Sequence, residues 1–294
     1  QRLPLVSGDM QDAYAAQGWR ATGLDVVLAG FRDTALVYGE PLPEERGRAL
    51  ATLEALGLAE LGARRMAELS TGQARKILLA RALACAPDAL FLDECLEGLD
   101  APARREFLAV LDSAAEASPR LALLFSSHRL DELPACLDRA LVLRAGRIER
   151  MGDLAEALAA AAAQAPATAD TPQPARPAPT AATPTPAAPA GFLARIRNAS
   201  LDIDGARILS DIGWTILPGE NWAVLGANGA GKSTLLALLS GAIWPSSPLD
   251  GDAPAGMVEH GFAAQGETLD DTRRRIGLVS PALQANFPYD LTVE

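Results

Sequence analysis

Three groups of residues in this chain could do chemistry on a phosphate. The first is Gly226-Ala-Asn-Gly-Ala-Gly231-Lys232-Ser233, which follows the apolar run Trp222–Leu225. Glycines at this spacing let backbone N–H groups turn inward around phosphate oxygens, and a helix starting at Lys232 adds the positive end of its dipole. Lys232 offers a compact ammonium for β- and γ-phosphates, and Ser233 a hydroxyl for Mg²⁺. The second group is Asp93-Glu94 at the end of the apolar run Ala89-Leu-Phe-Leu92, followed further on by His128. Asp93 suits a magnesium shell, Glu94 suits polarising an attacking water, and His128 could hold that water against the γ-phosphate. Taken alone, an apolar run ending in Asp-Glu is common, and a lone histidine is more often structural. The third group is Ser70-Thr71-Gly72-Gln73, where a hydroxyl and free N–H groups at a helix start could meet an anion. By itself it is no more than a helix cap.

These groups must be held by alternating strands and helices. Ala89–Leu92, Leu121–Phe125 and Trp222–Leu225 are short continuous apolar runs, as expected of strands buried on both faces. Helical spacing marks Asp25–Phe31, Glu44–Leu56, Ala74–Ala84 and Lys232–Leu239. Leu141–Leu143 and Gly146–Ile148 predict a hairpin, and Phe192–Ile203 with Gly205–Leu217 predict further strands. Residues 241–267 give no periodicity, whereas Arg275–Ser280 reads as a strand. His260, in the unassigned stretch, is expected at the surface. Residues 165–190 change to Ala, Pro and Thr, a composition that buries too little apolar surface to offset the entropy of ordering it. The chain therefore divides into 1–153, a Pro-rich linker over 154–190, and 191–294.

Composition narrows the function. A net charge of −11 argues against a nucleic-acid backbone as partner, since duplex affinity depends on Lys and Arg neutralising phosphates. Lys76 and Lys232 are the two lysines among 26 basic residues. Aromatics make up 5% of the chain, so the core must be aliphatic. Cys85, Cys95 and Cys136 lack metal-like spacing and read as free thiols. The alanine tract at 155–163 is too short to cross a bilayer. Both ends read as cut through a pattern.

The order of the groups matters. Ser70–Gln73, Asp93-Glu94 and His128 come first, and the phosphate loop begins about 150 residues after the serine. A circular permutant of one unit, or the back of one unit joined to the front of another, would give this order. Leu5-Val-Ser-x-x-x-Gln11 recurs as Leu278-Val-Ser-x-x-x-Gln284. A permuted single unit would hold this element once, so the repeat favours two units in tandem.

Together, Leu69–Gln73, Asp93-Glu94, Glu97–Asp100, His128 and 226–233 resemble ABC-type ATPases. More narrowly, Leu69–Leu79, Arg129–Pro134 and Arg274–Gln284 are similar to the tandem ATPases known as molybdenum-transport ATP-binding proteins. The resemblance covers nearly all of the chain outside the linker. It implies an α/β P-loop fold of ABC type: the C-terminal half of one ATPase domain, the linker, and the N-terminal half of a second. It implies ATP and Mg²⁺, with Gly226, Asn228, Gly229, Gly231, Lys232, Ser233 and Thr234 on the nucleotide, together with Ser70, Thr71, Gly72 and Gln73. Ser233, Asp93, Gln11 and Gln284 would serve the metal, and Glu94 and His128 the catalysis.

In the family two domains sandwich two nucleotides. Lys232 and Ser233 would then share one with Ser70, Gly72 and Gln73, while Asp93, Glu94 and His128 would lack their phosphate loop. On that expectation no site is complete, and the chain alone turns over negligibly. Its partners would be the missing halves of its own domains and a membrane permease, at the inner face of the cell membrane in the cytoplasm. The alternative is a soluble tandem ATPase acting on ribosomes or DNA, which the acidic charge and the uncharged linker disfavour. The sequence departs from the family in Thr71 for a glycine, Cys95 for a proline, and Ile203 where relatives place an aromatic on the adenine.

Overall fold

The computed structural model describes residues 21–32, 34, 37, 39–164, 191–203, 205–246, 256–261 and 275–279. In chain order the helices are α1 (Gly23–Gly30), α2 (Pro43–Ala55), α3 (Ala59–Gly62), α4 (Thr71–Ala84), α5 (Ala101–Ala117), α6 (Leu154–Gln164) and α7 (Lys232–Leu239). The strands are β1 (Ala89–Asp93), β2 (Ala122–Ser127), β3 (Arg139–Arg144), β4 (Arg147–Asp153), β5 (Ala194–Ile203), β6 (Ala206–Ile216), β7 (Asn221–Leu225), β8 (Met257–His260) and β9 (Ile276–Val279). The apolar runs predicted as buried strands are β1, β2 and β7, with every residue of β1 and β2 buried.

One six-stranded sheet runs β4-β3-β7-β2-β1-β9, parallel except for the β3–β4 hairpin, and a three-stranded sheet runs β6-β5-β8. Pleating sends alternate residues to opposite faces. Leu90, Leu92, Leu123, Phe125, Ala223 and Leu225 pack with the helical layer. Ala89, Phe91, Ala122, Leu124, Trp222 and Val224 pack with the small sheet and α7. Both faces are covered, which is why these strands read as continuous apolar runs.

The position of β7 joins the two segments in one sheet. It comes after the linker yet lies in the middle of the large sheet, with Val224 opposite Ser126 of β2 and Leu141 of β3. The segments 1–153 and 191–294 are therefore not separate units in the structure. The physical reason is complementarity. A half lacking its central phosphate-loop strand exposes two open strand edges, and the other segment carries a strand with the matching apolar faces. The linker boundary also moves. Residues 154–164 form α6, whose Leu154 and Ala157 are buried, and Leu154 N–H donates to Asp138 O at 2.9 Å.

Candidate functional site

Parallel strands bring their carboxyl ends to one edge of the sheet, where open α/β folds keep ligand sites. Register fixes the rest. Asp93 pairs with Ser126, Ser126 with Val224, and Ser127 with Leu225. The residues that follow, namely Glu94, His128 and Gly226, must leave the sheet side by side.

They meet there. Lys232 Nζ lies 3.1 Å from Glu94 Oε1, and His128 Nδ1 lies 2.8 Å from Glu94 Oε2. The ammonium also donates to the loop carbonyls of Gly226 at 2.9 Å and Ala227 at 3.1 Å. Lys232 is 4% exposed, so its charge acts in a poorly screened setting. The expected separation of phosphate loop from acidic pair thus does not hold. Glu94, His128 and Lys232 meet in this chain, and Asp93 precedes Glu94 at the end of β1.

Packing against neighbouring backbone sets the loop's shape. Gly231 is the N-cap of α7 with φ of 99° and no side-chain cap bond, so the first N–H groups of the helix have no side chain over them. A Cβ on Gly231 would stand 2.9 Å from Leu209 Cδ2, and one on Gly226 would stand 2.5 Å from Leu143 O. Asn228 and Gly229 are exposed at the rim, while Ser233 and Thr234 are half-buried in the first turn of α7. The β3–β4 turn clamps the loop from below, with Gly146 N–H donating to Ala230 O at 3.1 Å and Gly146 O accepting from Ser210 N–H at 2.8 Å.

The donor set fits a nucleotide with magnesium. It offers glycines whose places a Cβ would fill, an uncapped helix start, one buried ammonium, a hydroxyl on α7 and a buried carboxylate at a strand end. Among the described residues no group of three His, Cys, Asp or Glu could hold a metal.

Ser70–Gln73 lies elsewhere. Ser70 Oγ accepts from Gln73 N–H at 3.3 Å and Gln73 Oε1 accepts from Ser70 N–H at 3.1 Å, a closed capping box at the start of α4. Gly72 is buried, and a Cβ there would stand 2.8 Å from Ala103 Cβ. Ser70, Gly72 and Gln73 line an open groove with Lys76, Asp100 and Glu106, and it shares no residue with the cleft at Glu94 and His128. Thr71, next to Ser70, is exposed. α4 leads into β1, and its start packs beside α5, where a Cβ on Gly72 would meet Ala103.

Gln11 and Gln284 lie outside the described residues. Ile203 ends β5 and is 43% exposed. His260, expected at the surface, is half-buried, with Nε2 2.7 Å from Leu239 O, and burial lowers its pKa.

Three contributors escaped the sequence reading. Ser126 Oγ donates to Asp93 Oδ1 and accepts from Glu94 N–H at 3.1 Å. Arg75 is buried and donates to Cys95 O at 2.7 Å, tying the turn after Glu94 to α4. Arg104 holds both Glu132 oxygens at 2.6 and 2.7 Å on the wall of the same cleft. The signal for Ser126 was present: a hydroxyl inside an apolar strand run must find a partner. Cys95 itself is fully buried, and burial pushes its thiol up to about 12.

Known proteins resemble this chain in sequence. The chain is 29% identical over 315 residues to ABC transporter ATP-binding protein ModF of Escherichia coli (strain K12), a match taking in 99% of the chain and 62% of that protein. It is 36% identical over 124 residues to the Molybdenum import ATP-binding protein ModC of Mycobacterium tuberculosis, covering 42% of the chain and 33% of that protein. The chain thus spans less than two thirds of either relative. Among solved structures, a putative metal-chelate type ABC transporter in an inward-facing conformation aligns at a TM-score of 0.44 and 19% identity, over 71% of each chain. The profile of the ABC transporter family matches residues 12–97, which contain Ser70–Gln73 and Asp93-Glu94, and residues 209–293, which contain the phosphate loop. With more than half of its length matched, the chain belongs to the ABC transporter family, as an ATP-binding component.

Proposed function

We propose that the chain binds and hydrolyses ATP as the nucleotide-binding component of a transporter importing molybdate. The observation that carries the ATPase reading is the meeting of Lys232, Glu94 and His128 at one sheet edge. Lys232 and the N–H groups at the start of α7 hold the phosphates by charge-assisted bonds. Glu94 accepts a proton from the attacking water, and His128, hydrogen-bonded to the same carboxylate, orients it. Magnesium, held when bound by Ser233 and Asp93, supplies charge neutralisation on the phosphate oxygens. Phosphoryl transfer needs little more from a protein than this positioning and electrostatic stabilisation.

The molybdate assignment rests on the resemblance and on the likeness to the Molybdenum import ATP-binding protein ModC. The repeated Leu-Val-Ser-x-x-x-Gln element and the longer ModF relative support a tandem pair of such ATPases, whose adjoining halves complement each other in this chain. A membrane permease carries the solute, with this chain docked on its cytoplasmic face. Among the described residues no helix is long and apolar enough to cross a membrane. The acidic charge weighs against the ribosome- or DNA-acting alternative.

A fluorescent ATP analogue tests the reading. Lys232→Ala should lose about a hundredfold or more in affinity, the loss of at least two charge-assisted bonds. Glu94→Gln should keep the affinity and lose turnover by about 10²–10⁴. Unchanged affinity in Lys232→Ala would refute the site.

A further inference from the structure

We propose that Ser126 is a positioning residue that sets the metal-facing carboxylate and the water-facing carboxylate at once. The inference rests on the ATPase reading above. Ser126 is fully buried on β2, between β1 and β7. Its hydroxyl proton goes to Asp93 Oδ1, which holds that carboxylate oxygen in place. Its oxygen lone pair receives the Glu94 N–H at 3.1 Å, while the Ser126 carbonyl receives the same N–H at 3.3 Å.

That second contact matters because of where Glu94 stands. Its φ is 48°, in the left-handed region that side-chain-bearing residues rarely adopt. A backbone held there needs contacts that over-determine it, and Ser126 supplies them from the neighbouring strand. The turn in turn aims the Glu94 carboxylate between Lys232 Nζ and His128 Nδ1. One hydroxyl therefore couples the two carboxylates. An alanine or valine at the same strand position would pack as well in the sheet but could do neither.

The test is the magnesium dependence of nucleotide affinity, measured with a fluorescent ATP analogue on the full chain. For Ser126→Ala the Mg²⁺ concentration for half-maximal tightening should rise about tenfold or more, the usual effect of removing a partner that orients a metal ligand. Affinity without metal should stay within about twofold, because the phosphate loop is untouched. If Ser126→Ala does not fold, Ser126→Cys, with a similar volume and a weak S–H donor, carries the comparison with the same expected direction. Variants that match the wild-type magnesium curve, or that lose metal-free affinity equally, overturn the proposal. A wild-type chain with no magnesium-dependent affinity at all overturns the ATPase reading and this inference with it, a result distinct from the other two.

Discussion

Glu94 and Cys95 are adjacent yet chemically opposite. Glu94 faces the cleft with Lys232 and His128 on its two oxygens, whereas the Cys95 side chain is wholly buried beside it. Burial raises the thiol from an ordinary 9.0 to about 12, so at neutral pH it is no nucleophile and no thiolate ligand. The sign of its effect on stability follows. The unfolded chain releases the proton near pH 9 and the folded chain retains it, so the stabilisation is complete below pH 9 and is lost as pH rises toward 12. Each unit in that window weakens folding by up to about 1.4 kcal/mol. Thermal midpoints of the wild type should therefore fall between pH 9 and 11 more steeply than those of Cys95→Ala, and parallel curves would contradict the burial argument. Cys136, half-buried with its backbone N–H on Asp112 Oδ1, is raised in the same direction, chiefly by desolvation.

At the scale of elements, the β3–β4 hairpin does more than close the sheet. Its turn residue Gly146 has φ of 73°, and a Cβ there would stand 2.1 Å from Ile208 O of β6. The same residue bridges the phosphate loop, through Ala230 O, and β6, through Ser210 N–H. Gly146→Ala should cost about 2–5 kcal/mol, from the strained backbone together with the overpacking. It should also weaken nucleotide binding, since the loop loses its floor. Denaturant midpoints read the first effect and the fluorescent analogue the second; an unchanged midpoint would show that the hairpin can yield. A hairpin was predicted from Leu141–Leu143 and Gly146–Ile148, but its grip on the loop was not, because that contact joins residues 84 positions apart (Gly146 and Ala230).

For the molecule as a whole, the central place of β7 has a direct consequence. Trp222 on β7 is buried at 1% exposure, meets Trp214 edge-on at 5.2 Å, and lies under the Arg139 guanidinium at 4.6 Å. Both of its flanking strands come from before the linker. Cutting the chain at a protease site engineered between 165 and 190 should leave the two pieces as one particle on gel filtration, with nucleotide affinity intact. Separation into two species would show that the segments do not share a sheet. Trp222→Ala removes the anchor on β7 and should destabilise by about 3–5 kcal/mol.

What the sequence determined by itself was local. A glycine loop after an apolar strand, an Asp-Glu at a strand end, a helix cap at Ser70, and an Ala/Pro/Thr linker all follow from residues within a few positions of each other, where backbone sterics and periodicity act. Much of the fold was legible for the same reason: β1, β2 and β7 are continuous apolar runs because both faces of the sheet are covered. What only the tertiary structure decided was partnership. The phosphate loop and the acidic pair lie more than a hundred residues apart, so nothing local says that they will face each other. The sheet register answers by pairing Ser127 with Leu225, which precedes the phosphate loop, and Lys232 then reaches Glu94. The roles of Ser126 and Gly146 are settled at the same level, since a buried hydroxyl or a cramped glycine has meaning only through the neighbour that packing brings to it.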